Sequence, residues 1–187
     1  MHTNHPLERR MLYIPVLHID TNLINARQKL LAVNQLERWY EDEVILINIS
    51  STACLEAQAD RNAIRVKKVN KQIFTATPAI KASDSRFVEV EAALFPDGAM
   101  NENQRNDVRI VCEAAKYAAI LVTADGASKT QPGGMLGNRH KITHLVKILS
   151  PKEAVEFVRT KICERDEFNA RVVKECGGSL PPWTGRD

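Results

Sequence analysis

The chain has little of several residue types on which specialised sites depend. Its four cysteines, Cys54, Cys112, Cys163 and Cys176, are scattered and form no CxxC pair, so the sequence supports neither a zinc site nor a redox dithiol. Aromatic residues make up only 5% of the chain, too few for a base-stacking platform. The net charge of +3 is mild and permits an anionic partner without requiring one.

Long apolar runs are also absent. No window is apolar over the ~18 or more residues that a membrane span needs, and the first residues lack the apolar run of a secretion signal. We therefore expect a cytoplasmic protein that does not associate with membranes. With 187 residues, 44% of them hydrophobic, the chain has the size and the core material of one domain.

Short apolar runs alternate with amphipathic segments along the chain. The runs are rich in aliphatic and β-branched residues, as in buried strands, and lie at residues 13–19, 44–47, 119–123 and 145–149. Helical patterns lie at 25–38, 50–59, 60–72, 85–95, 106–117 and 150–173, and residues 73–81 suit a loop or a short extended piece. Helices long enough for crossovers predict an α/β sandwich with a central, mainly parallel sheet.

Three aspartates fall where the strands of such a sheet end. Asp20 directly follows the first strand, and Asp125 lies two residues after Thr123 at the end of the third. Asp107 opens the helix before that strand; this helix runs antiparallel to the strand, so its N-terminus lies at the strand's carboxyl end. Ligands bind at this edge in parallel sheets. Glu56 reaches the same edge if it lies on the inward stripe of its helix.

Each acid alone has an ordinary structural explanation. Asp20 could cap a helix, Asp107 could stabilise a helix N-terminus by about 0.3–1 kcal/mol, and Asp125 before Gly126 suits a turn. Glu56 could be a solvated surface residue. Together, however, several carboxylates at one edge repel one another unless they are protonated or neutralised by a cation. Oxygen ligands without clustered cysteine or histidine favour Mg²⁺ or Mn²⁺ over zinc.

The segments that carry these acids resemble a known family. They are Ile19-Asp20-Thr21-Asn22, the stretch from Ser51 to Glu56, and the stretch from Asn106-Asp107 to Thr123-Ala124-Asp125. Over approximately residues 13–149 the sequence is similar to the PIN-domain family, which includes VapC-like ribonucleases. The resemblance implies a three-layer α/β/α sandwich and a metal-dependent endoribonuclease that hydrolyses RNA, in the manner of the toxin of a toxin–antitoxin pair. An antitoxin partner and a homodimer are implied as well.

Carried over by position, the resemblance also assigns the site residues. Asp20, Glu56, Asp107 and Asp125 would be the catalytic acids that bind Mg²⁺ or Mn²⁺. Asn22 and Thr123 would be polar support for them. Around this domain, residues 1–12 are expected to form an N-terminal extension, 150–176 a helix packed on the domain, and 177–187 a flexible tail.

Basic residues suggest where RNA would lie. Lys129, Arg139 and Lys141 belong to a glycine-rich loop after Asp125, which could close over a phosphate chain or could be a mobile connector; in the first case, we predict that they contact RNA phosphates. The loop does not end in the GK[ST] of a P-loop. The basic helix over 60–72 could also follow phosphates, or it could be a solvated face.

Two other functions fit the sequence in part. A catalytically silent PIN module would bind RNA or a partner protein, but such a module would be expected to lack some of the four acids. A phosphatase-like hydrolase would use Asp20 as its nucleophile, but it would need a second aspartate where this chain has Asn22.

Overall fold

A computed structural model gives the fold and describes residues 7–24, 29–59, 63, 66–67, 75–81, 83–126 and 132–187. Its strands are β1 (Leu17–Ile19), β2 (Ile47–Ser50), β3 (Thr75–Thr77), β4 (Ile120–Val122) and β5 (Lys147–Leu149). They form one sheet in the order β3-β2-β1-β4-β5, and every neighbouring pair is parallel. The predicted α/β fold with a central parallel sheet is confirmed.

Helices flank the sheet. They are α1 (Leu31–Glu41), α2 (Ser51–Ala59), α3 (Ser85–Leu94), α4 (Glu102–Lys116), α5 (Gly134–Asn138) and α6 (Pro151–Cys176). α1 packs against α6, and α4 packs against both α2 and α3, which gives the α/β/α sandwich. Among the residues described above, no helix is both long and apolar enough to cross a membrane.

The central strand β1 brings the strand ends together. Leu17 pairs with Ile47 of β2 and with Ile120 of β4, and all residues of β1 and β4 are buried. Strands buried on both faces are mainly apolar, which explains the pattern in the sequence. At the end of β1, the Asp20 N–H donates to the carbonyl of Val122 at 3.0 Å. The residues that follow β1 and β4 therefore begin side by side.

The second strand lies three residues later than the sequence predicted. Instead of pairing in the sheet, the Val44 N–H donates to the Trp39 carbonyl at the end of α1, and the Val44 carbonyl accepts from Leu12. Residue 44 thus closes a helix before the strand begins. The extended piece expected within 73–81 is present as β3. The helix predicted over 60–72 falls mostly outside the described residues.

The start of α4 also differs from the prediction of 106–117. The Asn101 side chain accepts from the Gln104 N–H at 3.0 Å, and the Gln104 side chain accepts from the Met100 N–H at 2.7 Å. These two bonds satisfy N–H groups at the helix start, so the helix begins at residue 102. Asp107 consequently lies in the second turn and not in the first.

Residues 177–187, predicted to be a flexible tail, are held against α6. Both carboxylate oxygens of Asp187 are engaged, since one accepts from Arg10 at 2.7 Å and the other from Arg165 at 2.8 Å. The Arg165 guanidinium lies over the Trp183 ring at 4.2 Å from its centre. We call these four residues the C-terminal clasp. It joins the tail and the N-terminal segment, which the sequence pattern treated as two separate extensions.

Candidate functional site

All four predicted acids line one open cavity of about 1060 Å³ at the carboxyl edge of the sheet. Asp20 follows β1, Glu56 lies on α2, Asp107 on α4 and Asp125 after β4. The cavity's other walls come from the start of α4 and from the end of α2. Residues separated by up to 105 positions in the sequence thus share one surface.

Asp20 is the most buried of the four, with 4% of its surface exposed. One carboxylate oxygen accepts from the Thr21 N–H at 2.6 Å; the other accepts from the Asn22 amide at 2.7 Å and from the Thr123 hydroxyl at 2.6 Å. Burial raises the pKa of Asp20 to about 6, with a smaller contribution from the charge of Glu56, although the hydrogen bonds oppose this. Both predicted supporting residues contact Asp20.

Asp125 is held by the chain on both sides of it. Its N–H donates to the Thr123 hydroxyl at 3.0 Å, and one carboxylate oxygen accepts from the Met135 N–H at 2.8 Å. Its carbonyl accepts from the Leu136 N–H at 3.0 Å. Because Thr123 also donates to Asp20, a single hydroxyl connects the two aspartates that follow neighbouring strands.

Asp107 has the most perturbed carboxyl group. Burial, followed by the charges of Asp20, Asp125 and Glu56, raises the pKa of Asp107 to about 8, and no hydrogen bond from a described residue lowers it. A carboxylate among three others and without a donor is costly when it is ionised. Either a proton or a cation must offset its charge at neutral pH.

Glu56 is placed by contacts that the sequence did not predict. One carboxylate oxygen accepts from the Thr21 hydroxyl and the other from the Asn106 amide, each at 2.8 Å. Asn106 in turn accepts from Arg109 at 2.7 Å, and Arg109 also pairs with Glu102. Glu56 thus faces the cavity from the inward side of α2, as the resemblance required.

Sequence reasoning missed the residues that hold the acids. Asn106 and Arg109 are three positions apart, so they share one face of α4, and this spacing was the available signal. Glu113 is fully buried and accepts from the Thr52 hydroxyl at 2.8 Å and from its N–H at 3.2 Å, which fixes the start of α2 against α4. No comparable pattern in the sequence indicates that Glu113 is buried and contacts Thr52.

Two of the predicted RNA-contacting residues, Arg139 and Lys141, are engaged by other parts of the chain. Arg139 forms a bidentate ion pair with Glu153, at 2.7 and 2.8 Å, and Lys141 donates to the carbonyl of Ala93 at 3.1 Å. Neither lines the cavity, and their contact with RNA stays a prediction. Lys129 lies outside the described residues. Among the described residues that line the cavity, Arg109 is the one cation.

The donor set suits a hard divalent cation. The cavity offers carboxylate, amide and hydroxyl oxygens, and a cation is one of the two ways to offset the charge of Asp107. Over the part of the chain that the structure describes, no group of three or more His, Cys, Asp or Glu side chains lies close enough together to hold a metal ion.

Comparison with known proteins gives a match among solved structures alone. No protein-family model matches the chain, and no curated protein matches it. Among solved structures, it is similar to VapBC2 from Rickettsia felis, crystallised with a DNA fragment from the promoter. The two are 17% identical with a TM-score of 0.43, over 72% of this chain and 98% of that chain. Similarity at this level does not extend to the chemistry of the site.

Proposed function

We propose that this chain is a metal-dependent endoribonuclease of the PIN-domain family, acting on RNA in the cytoplasm with Mg²⁺ or Mn²⁺. One observation carries the proposal: Asp20, Glu56, Asp107 and Asp125 line a single open cavity without an arginine or lysine paired to any of their carboxylates among the described residues. An exposed carboxylate without an ion pair costs little free energy, because water solvates it. Asp20, however, is buried and Asp107 is half-buried. Such a cluster is the kind of arrangement found at functional sites.

A bound divalent cation would lower the pKa of water and neutralise charge on the phosphate oxygens. The residues of this chain would hold it and orient the substrate. Asp107 offers a carboxylate free of hydrogen bonds from the described residues, and Asp20 and Asp125 offer carboxylates fixed by Thr123. Arg109, on the same wall, has its Nη1 engaged and can present its remaining N–H groups to a phosphate.

RNA cleavage by the purified chain tests the proposal. A fluorescent single-stranded RNA and its DNA counterpart would be incubated with the parent chain in Mn²⁺, in Mg²⁺ and in EDTA. We expect cleavage of RNA that requires metal and is lost in Asp20→Asn, which keeps the size of the side chain and removes its charge. Equal cleavage by Asp20→Asn and the parent would refute the assignment.

A silent PIN module is the alternative, and thermal unfolding separates the two. A ligand that binds only the folded state must raise its stability, so a silent module should gain little from Mn²⁺. The toxin role, an antitoxin partner and a homodimer stay predictions from the sequence resemblance. Co-purification with the product of the neighbouring gene, and light scattering of the purified chain, would test them.

A further inference from the structure

The short segment Gly133-Gly134-Met135 lies against Asp125, eight to ten residues after it in the sequence. Gly134 has a φ of +55°, and a Cβ atom built on it would lie 2.7 Å from both carboxylate oxygens of Asp125 and 2.8 Å from its Cγ. Real Cβ atoms essentially never approach so closely. The backbone at Gly134 therefore packs directly on the carboxylate and leaves no space for a side chain.

The neighbouring contacts fix this segment in place. The Met135 N–H donates to one Asp125 carboxylate oxygen at 2.8 Å, and the Met135 side chain is buried. The Asn138 amide donates to the carbonyls of Pro132 and Gly134, at 3.0 and 2.9 Å. The segment thus has its own internal hydrogen bonds and an anchor in the core.

From these contacts we propose that Gly134 is a positioning residue for the metal site: its missing side chain lets the backbone close on Asp125 and hold that carboxylate toward the cavity. This inference rests on the proposed function, since Asp125 is one of the four acids. A glycine-rich loop expected from the sequence to close over phosphates instead supports a carboxylate. Position 134 suits only glycine for two reasons: a Cβ atom there would collide with the Asp125 side chain, and the backbone has a positive φ.

Gly134→Ala would push the carboxylate or the segment aside. We expect Mn²⁺ affinity to fall about 10- to 100-fold, the usual effect of losing a group that orients a metal ligand. Two controls separate this from backbone strain. Gly133→Ala also places a side chain at positive φ, +83°, but meets Gly137 and not Asp125; Gly137→Ala meets nothing within 4 Å. Both should keep Mn²⁺ affinity within about threefold, well short of the effect expected at a ligand-orienting position.

A double-mutant cycle supplies a readout that needs neither metal nor activity. In EDTA, Gly134→Ala should lower the midpoint of thermal unfolding more in the parent than in an Asp125→Ala background, because the second variant lacks the carboxylate that the new methyl meets. If Gly134→Ala folds only in the Asp125→Ala background, the inference is also supported. Failure to fold in both backgrounds would overturn it in favour of a pure backbone requirement.

The inference is overturned as well if Gly134→Ala binds Mn²⁺ as the parent does, or if its thermal cost is the same in both backgrounds. A parent chain that binds no Mn²⁺ would refute the proposed function instead. In that case the double-mutant cycle alone decides whether Gly134 fixes Asp125.

Discussion

Asp187 lies between Arg10 and Arg165 in the C-terminal clasp, whereas Asp107 lies among three other carboxylates in the cavity. Glu153 is also paired with an arginine, since Arg139 donates to it and lowers its pKa to about 2. Burial and neighbouring acids instead raise the pKa of Asp107 to about 8. The chain therefore has arginines available to pair with carboxylates, and none of those in the described residues pairs with the four acids. We interpret the acids paired with arginine as supports of the fold and, under the proposed function, the four cavity acids as ligands of a cation.

The largest expected effect comes from removing an unpaired acid. Asp107→Asn should reduce metal-dependent RNA cleavage by about 100-fold or more, because the amide has no charge to attract a cation. Glu56→Gln should cost about tenfold, since Thr21 and Asn106 already engage both of its oxygens and the amide can keep part of that pattern. Initial cleavage rates in Mn²⁺ would measure both. Equal losses of cleavage rate in the two variants would contradict the expected difference between Asp107 and Glu56.

Breaking the clasp should affect stability and leave cleavage nearly intact. Asp187→Asn removes one of the two carboxylates that pair with the buried Arg165, since Asp166 remains, and we expect the free energy of unfolding to fall by about 1.5 kcal/mol. Urea unfolding would measure this. Glu164→Gln, which breaks the exposed ion pair with Lys161, is the control and should change little. A large loss of RNA cleavage in folded Asp187→Asn would contradict the division between the two regions.

The pH dependence of stability should follow Asp107. Because its pKa rises from 3.8 to about 8 on folding, the folded state holds a proton that the unfolded state releases, and stability falls as pH rises through 8. His18 has the opposite effect. Burial lowers its pKa from 6.5 to about 4, so its contribution makes stability rise with pH between about 4 and 6.5.

Between pH 6.5 and 8 the contribution of His18 is nearly complete, so the slope there reports mainly on Asp107. The midpoint of thermal unfolding in EDTA should decrease over this window in the parent and much less in Asp107→Asn. Added Mn²⁺ should reduce the slope in the parent. A parent midpoint that rises with pH over this window would contradict the assignment of Asp107.

The smallest effect is expected at Lys141. Its side chain donates to a carbonyl on α3 and lies outside the cavity, so Lys141→Ala should change the KM for RNA by less than about twofold, as for an exposed group that does not contact the substrate. Arg109→Lys, which keeps the charge and loses the planar fork, should raise KM more. The reverse order would favour the sequence-based prediction that Lys141 binds RNA.

The hydrophobic pattern of the sequence predicted the parts of the fold that depend on residues close together in the chain. The buried strands are mainly apolar on both faces, so the sheet and the positions of Asp20 and Asp125 at its edge followed from the sequence. Asp107 reached the same edge although its helix begins four residues early. The error there came from the Asn101 cap, which precedes a first turn with no apolar residue to reveal it.

Long side chains and the tail were predicted less well, because their partners are distant in sequence. Arg139 pairs with Glu153 and Asp187 with Arg10, and the second pair is 177 positions apart. No window along the chain contains both members of that pair. Glycines after α6 therefore suggested a flexible tail, although Asp187 is anchored through contacts that only the folded chain creates.

Binding of Mn²⁺ to the purified chain, followed by electron paramagnetic resonance, tests the central claim most directly. The parent should bind Mn²⁺ in a saturable manner, and an Asp20→Asn, Asp107→Asn double variant should bind it at least about 100-fold more weakly. Glu153→Gln, which removes a paired acid, should bind as the parent does. If the parent does not bind Mn²⁺, or if the double variant binds it equally well, the four acids are not a metal site.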